Sequence, residues 1–98
     1  MVKVIGLIEL RDEEAFDQYR SQVGQTVELY KGSIKNRGSV VDIFWNELDC
    51  APFSTFVELE FPSATQAKTW ANSPEYQALV PIRNKAMKLT LLSISIET

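Results

Sequence analysis

The chain predicts one α+β domain with the element order βαββαβ, and three observations predict it. Apolar runs rich in β-branched residues open and close the sequence, at residues 2–10 and 87–96. Two internal segments repeat apolar residues at intervals of three and four, and each follows a helix-start signature. Between those segments lie two further extended runs, 33–46 and 54–61, separated by a polar stretch with Asp49, Cys50 and Pro52 that has the composition of a hairpin connection.

Each element has a local cause. After the first strand, Asp12 is the expected N-cap, and Glu13 and Glu14 sit in the first turn, where the helix dipole favours negative charge. Phe16, Tyr19, Val23, Val27 and Tyr30 form one stripe that continues past Gly24 to a stop at Lys31-Gly32. Residues 33–46 read as a long bent strand, because Val40, Val41, Ile43, Phe44 and Trp45 favour extended backbone while Gly38 inside the run suggests a bulge. Strand 54–61 ends at Pro62. Ser63 and Gln66 then have the spacing of a capping box, opening a helix that carries Ala64, Ala67, Trp70 and Ala71. Ser73 and Pro74 restart it, and Tyr76, Leu79, Val80 and Ala86 continue an apolar face. Pro81 is expected to kink this helix or divide it into two short turns. Two βαβ halves joined by a hairpin make a ferredoxin-like layer: an antiparallel four-stranded sheet with both helices on one face, spanning residues 1–98 as one domain.

Composition narrows the function. A chain of 98 residues, 45% hydrophobic and 23% charged, fits a single domain with little burial to spare, so a partner's surface would matter. A net charge of −3 argues against a binder of nucleic acid, which needs a concentrated excess of Lys and Arg. No apolar run approaches the roughly 20 residues that cross a bilayer, and Met1 leads directly into a strand, so the expectation is a cytoplasmic protein with no membrane contact. Cys50 is alone and histidine is absent, which removes an internal disulfide and the usual zinc ligand sets; neither metal nor cofactor is expected.

In a single helix-covered layer, strands should alternate apolar and polar residues. These do not. The first strand places Val4 and Ile8 on one face but Ile5 and Leu7 on the other, and the last opposes Leu89 and Leu91 to Leu92, Ile94 and Ile96. An exposed second face of this kind exceeds what soluble monomers usually show. Its expected cover is a second copy of the chain, related by two-fold symmetry and packed sheet to sheet.

Glu60-Phe61-Pro62-Ser63, Ser73-Pro74-Glu75-Tyr76-Gln77 and Arg83, with Gly32 and Arg37-Gly38, resemble the domain of unknown function 1330 family of the dimeric α/β-barrel superfamily. The resemblance spans nearly the whole chain. It implies a ferredoxin-like protomer, a homodimer and a cleft between sheet and helices, and it implies no established reaction.

Five residues are candidates for binding a substrate in that cleft. Glu58 and Glu60 lie two apart on a strand and share the non-helical face with Phe56. In a partly closed cavity one of them would serve as general acid or base; on a rim the two would be solvated or ion-paired. Arg37 depends on hairpin register. Asp42 opposite Glu58 would set like charges together, so the expected register puts Arg37 on the carboxylate face near Glu60, as a ligand anchor or a staple. Arg83 complements a helix C-terminus and is placed to reach a strand carboxylate. Because the family pattern carries an arginine there, the resemblance adds a role in lining the cleft. Tyr76 either presents its hydroxyl to the cleft or packs as a ring with one satisfied hydrogen bond. Trp45 and Trp70 are expected in the core or a dimer contact, and Cys50 has no visible activation.

Two functions stay open. One is a small-molecule-binding protein, extending to a cofactor-independent enzyme on a small organic substrate of carboxylate or lactone type. The other is a non-catalytic dimeric module for ligand sensing or protein interaction. A carboxylate of raised pKa in a closed pocket separates the first from the second.

Overall fold

A computed structural model of the chain describes residues 1–96; the final two positions of the expected domain lie outside the described residues. The elements are β1 (Val2–Leu10), α1 (Glu13–Leu29), β2 (Ser33–Ser39), β3 (Thr55–Phe61), α2 (Ala64–Ala71), α3 (Pro74–Gln77), α4 (Val80–Ala86) and β4 (Met87–Ser95). The sheet order is β2-β3-β1-β4 with every neighbouring pair antiparallel. This is the ferredoxin-like fold expected from the element order, with its helices on one face.

The helix ends follow their sequence signals. The Asp12 carboxylate accepts the Ala15 N–H at 3.0 Å, closing the first turn of α1. At its other end Gly32 N–H reaches Val27 O at 3.0 Å and Lys31 N–H reaches Glu28 O at 3.1 Å, a Schellman closure. The left-handed residue there is Lys31 (φ 70°), not Gly32. Gly32 is needed for another reason: a Cβ on it would stand 2.5 Å from Cε1 of the buried Phe61 ring. Ser63 caps α2 through the Gln66 N–H at 3.3 Å. The reciprocal half of the capping box does not form, and Gln66 Oε1 is buried without a partner. Ser73 Oγ accepts the Tyr76 N–H at 3.1 Å and donates to Trp70 O at 2.7 Å, which joins α2 to α3. Pro81 lies in the first turn of α4, so the divided helix that it predicts is observed.

The core lies between helices and sheet, with Val27, Phe61, Trp70, Tyr76 and Ala86 at most 2% exposed. Its β1 share is Val2, Val4 and Ile8. The other sheet face carries Lys3, Ile5 and Leu7 from β1, opposite Glu60, Glu58 and Phe56 of β3 and Ile94, Leu92 and Thr90 of β4. Leu92 and Ile94 remain 41% and 42% exposed on that face.

Two expectations fail in the hairpin. The strand stops at Ser39 rather than Asn46, since β3 begins only at Thr55 and residues beyond the Val40 N–H to Ser54 O bond have no neighbouring strand to pair with. β-branched and aromatic residues favour strands only where a pleated neighbour receives them. Val41, Phe44, Trp45 and Leu48 are therefore 80–88% exposed on the loop between β2 and β3, and Trp45 is not a core residue. Asn46 holds that loop's turn, donating to Cys50 O at 2.8 Å and accepting the Cys50 N–H at 3.2 Å. The bulge is also displaced. It falls between Ile34 and Asn36, whereas Gly38 pairs with Phe56, whose ring leaves no room for a Cβ.

Candidate functional site

The stripe of α1 and the helical face of the sheet line an open-mouthed cavity of about 340 Å³. Phe16, Val23, Val57, Leu89 and Leu91 make much of its wall, and Trp70 closes part of it. Its polar groups are few: Tyr19 and Arg20 come from α1, Arg37 and Ser39 from β2, and Thr55 from the start of β3. A different depression, of about 440 Å³, opens where the loop at residues 50–53 meets Glu9, Arg11, Arg83 and Lys88. The first is the better candidate, because an apolar wall with a few convergent polar groups is what holds a small organic molecule.

From Tyr19 on that wall a chain of polar groups runs inward. Tyr19 Oη lies 2.9 Å from Tyr76 Oη, and Arg83 Nη1 donates to Tyr76 Oη at 3.0 Å. The two phenol rings meet edge to face at 6.4 Å, and the Arg83 guanidinium lies 5.6 Å from the centre of the Tyr76 ring. Trp70 packs against Tyr76 with centroids 4.5 Å apart and donates its indole N–H to Thr26 Oγ1 at 3.0 Å, which fixes its orientation. Burial raises the Tyr19 phenol well above the ordinary tyrosine range, and the neighbouring Tyr76 adds to the shift while Arg83 opposes it.

The carboxylates lie elsewhere. Glu58 and Glu60 point to the non-helical face, as β3 alternation predicts, and Lys3 bridges them, with Nζ 2.9 Å from Glu58 Oε2 and 3.2 Å from Glu60 Oε2. Asn36 donates to Glu58 Oε1 at 2.8 Å, and Lys35 Nζ stands 3.7 Å from Glu60 Oε2. The hydrogen bond from Lys3, then that from Asn36, holds the Glu58 carboxyl below its ordinary range, and the same partnership raises Lys3. A carboxylate so stabilised in its charged form is a poor proton donor at neutral pH. Glu58 thus fits the ion-paired reading.

Arg37 is not on that face. It pairs with Val57, so it lies on the helical side at the cavity, because the bulge at Lys35 reverses the expected parity of β2. Asp42 lies beyond the end of β2 and does not oppose Glu58. Arg83 likewise meets Tyr76 instead of a strand carboxylate. The five candidates therefore separate into three places: Arg37 at the cavity, Tyr76 and Arg83 behind Tyr19, and Glu58 and Glu60 across the sheet. Lys3 and Tyr19 are the residues that the sequence reading passes over. Strand alternation alone would have set Lys3 on the face of Glu58 and Glu60, while Tyr19 looks like any other member of the α1 stripe.

Among the described residues no group of three or more Asp, Glu, Cys or His side chains is placed to hold a metal ion. No helix among them is long and apolar enough to cross a membrane.

Comparison with solved structures finds the same fold repeatedly. RPA0582 of Rhodopseudomonas palustris, a protein of unknown function, superposes with a TM-score of 0.76 at 18% identity over 99% of this chain and 82% of its own. A dimeric ferredoxin-like protein of unknown function from Thermobifida fusca gives 0.62 at 12% identity, covering 97% and 90%. SnoaB, a cofactor-independent oxygenase of Streptomyces nogalater, gives 0.70 at 5% identity, covering 99% and 93%. At these identities the likeness shows the fold alone. No curated protein matches the sequence. The model of the domain of unknown function DUF1330 matches residues 3–96, so the chain belongs to the DUF1330 family.

Proposed function

We propose that the protein binds a small organic molecule, of carboxylate or lactone type, in the cavity between α1 and the sheet, and that it does so as a cytoplasmic homodimer without a cofactor. The observation that carries this reading is the cavity itself: about 340 Å³, within the usual range for ligand sites, with apolar walls and Tyr19, Arg20 and Arg37 converging on it. Arg20 and Arg37 suit an anionic or carbonyl-bearing edge, while Phe16, Val23 and Leu91 suit an apolar body. If the bound molecule reacts, the Tyr19 phenol is the group beside it, with Tyr76 one hydrogen bond further in, and the carboxylates of β3 lie across the sheet. The oxygenase with this fold supports an enzymatic reading by analogy only. Dimerisation is supported by the apolar outer sheet face and by the dimeric neighbour of the same fold.

A second reading, a non-catalytic sensing or interaction module, draws on two observations. The carboxylates are satisfied by Lys3, Lys35 and Asn36 while Val41, Phe44, Trp45 and Leu48 stand exposed on a loop held by its own hydrogen bonds. A thermal-shift screen of small carboxylic acids and lactones against wild type and Ile34→Trp, a substitution that adds bulk where Ile34 of β2 lines the cavity, tests the main reading. Ligands that stabilise only wild type support it. Equal shifts in both proteins, or none in wild type, contradict it.

A further inference from the structure

The direction of a hydrogen-bond chain is set by the member that has no choice. A guanidinium donates and never accepts, so Arg83, 3.0 Å from Tyr76 Oη, makes that oxygen an acceptor. The proton of Tyr76 must then find an acceptor of its own. Tyr76 is 2% exposed, and the partner its hydroxyl has besides Arg83 is Tyr19 Oη at 2.9 Å. Were Tyr19 the donor in that contact, the Tyr76 proton would be buried without a partner, which native structures strongly disfavour. The satisfied order runs Arg83 to Tyr76 to Tyr19. It leaves the Tyr19 proton free, on a side chain that lines the cavity.

We infer that Tyr19 is the cavity's hydrogen-bond donor, and that the site takes molecules presenting an acceptor oxygen, such as a ketone, lactone, ester or carboxylate, on an apolar body. Each bond in such a chain polarises the next, so the outermost hydroxyl is a stronger donor than an isolated phenol. Burial keeps that phenol protonated through neutral pH, which leaves the donor intact. This inference rests on the cavity reading above and adds the polarity of the ligand and the residue that reads it.

The test compares two uncharged probes of nearly equal shape, acetophenone and ethylbenzene, titrated by NMR into wild type, Tyr19→Phe and protein carrying 3-fluorotyrosine at position 19. Neutral probes take the charge attraction of Arg20 and Arg37 out of the comparison, and the Tyr19→Phe arm separates any hydrogen bond they still give the ketone from that of Tyr19. Wild type is expected to prefer the ketone by about three- to tenfold, the scale of one neutral hydrogen bond. Tyr19→Phe should bind both probes alike with its ethylbenzene affinity retained, and the fluorinated phenol, a stronger donor, should widen the preference. Equal binding of both probes by wild type, a ketone preference that survives Tyr19→Phe, or no response to fluorination would each overturn the inference and leave the cavity reading standing. Failure of both probes to bind wild type would overturn the inference and the cavity reading together.

Discussion

Tyr19 and Tyr76, 57 positions apart in sequence, meet through their hydroxyls at 2.9 Å and tie α1 to α3 on the helical side of the sheet. Tyr76 also receives Arg83, so its oxygen serves two partners where that of Tyr19 serves one within the protein. Tyr76→Phe should therefore be the more damaging substitution. It breaks two hydrogen bonds and strands both a buried phenol and a partly buried guanidinium, whereas Tyr19→Phe breaks one and strands the Tyr76 proton; each is expected to cost about 1–3 kcal/mol, with Tyr76→Phe at the upper end. Urea unfolding with an unchanged m-value measures both, and the opposite ranking would contradict the network.

Lys3 between Glu58 and Glu60 makes stability depend on acid. The folded-state pKa of Glu58 lies below its unfolded value, so its contribution is complete above the ordinary glutamate range and is lost as pH falls through that depressed value. Wild type should weaken on acidification below about pH 4. Lys3→Met, which removes the first cause of the shift, should flatten that part of the profile in thermal melts between neutral and acidic pH. A profile with the same slope in both proteins would show that Lys3 does not hold the carboxylate down.

At the end of α1, adjacent residues should respond in opposite directions. Lys31→Gly relieves a left-handed side chain and is expected to stabilise by about 0.5–1 kcal/mol. Gly32→Ala drives a Cβ into the Phe61 ring and should cost about 1–3 kcal/mol. Denaturation midpoints of the two variants decide it; stabilisation by Gly32→Ala would contradict the packing described.

The outer sheet face yields a prediction about assembly. Sedimentation at micromolar concentration should show a dimer for wild type and a single protomer for Leu92→Asp, which puts a charge among Ile5, Leu7 and Ile94. Ile34→Trp, on the helical side, should leave the dimer intact. A monomeric wild type would contradict the proposed pairing.

Much of this fold was legible because its signals are local. Asp12, Ser63 and Ser73 cap where their spacing says, Pro81 falls at a helix start, and the two apolar faces of β1 and β4 follow from alternation alone. The hairpin was not legible, for a reason that is not local. Whether Val41, Phe44 and Trp45 extend a strand depends on where β3 begins, and the side of Arg37 depends on a bulge at Lys35 that no glycine marks. The same bulge places Asn36, not Arg37, beside Glu58. At the site, Tyr76 and Arg83 stood out by resemblance, but their meeting with Tyr19 required three helices to converge, which periodicity does not encode.

The central claim is that ligands enter the helical side of the sheet and not the carboxylate face. Chemical-shift mapping of the protein with small lactones and carboxylic acids tests it most directly. Perturbations should centre on Tyr19, Val23, Arg37 and Leu91, with Lys3, Glu58 and Glu60 unmoved. Shifts centred on Lys3, Glu58 and Glu60 with α1 silent would contradict the account.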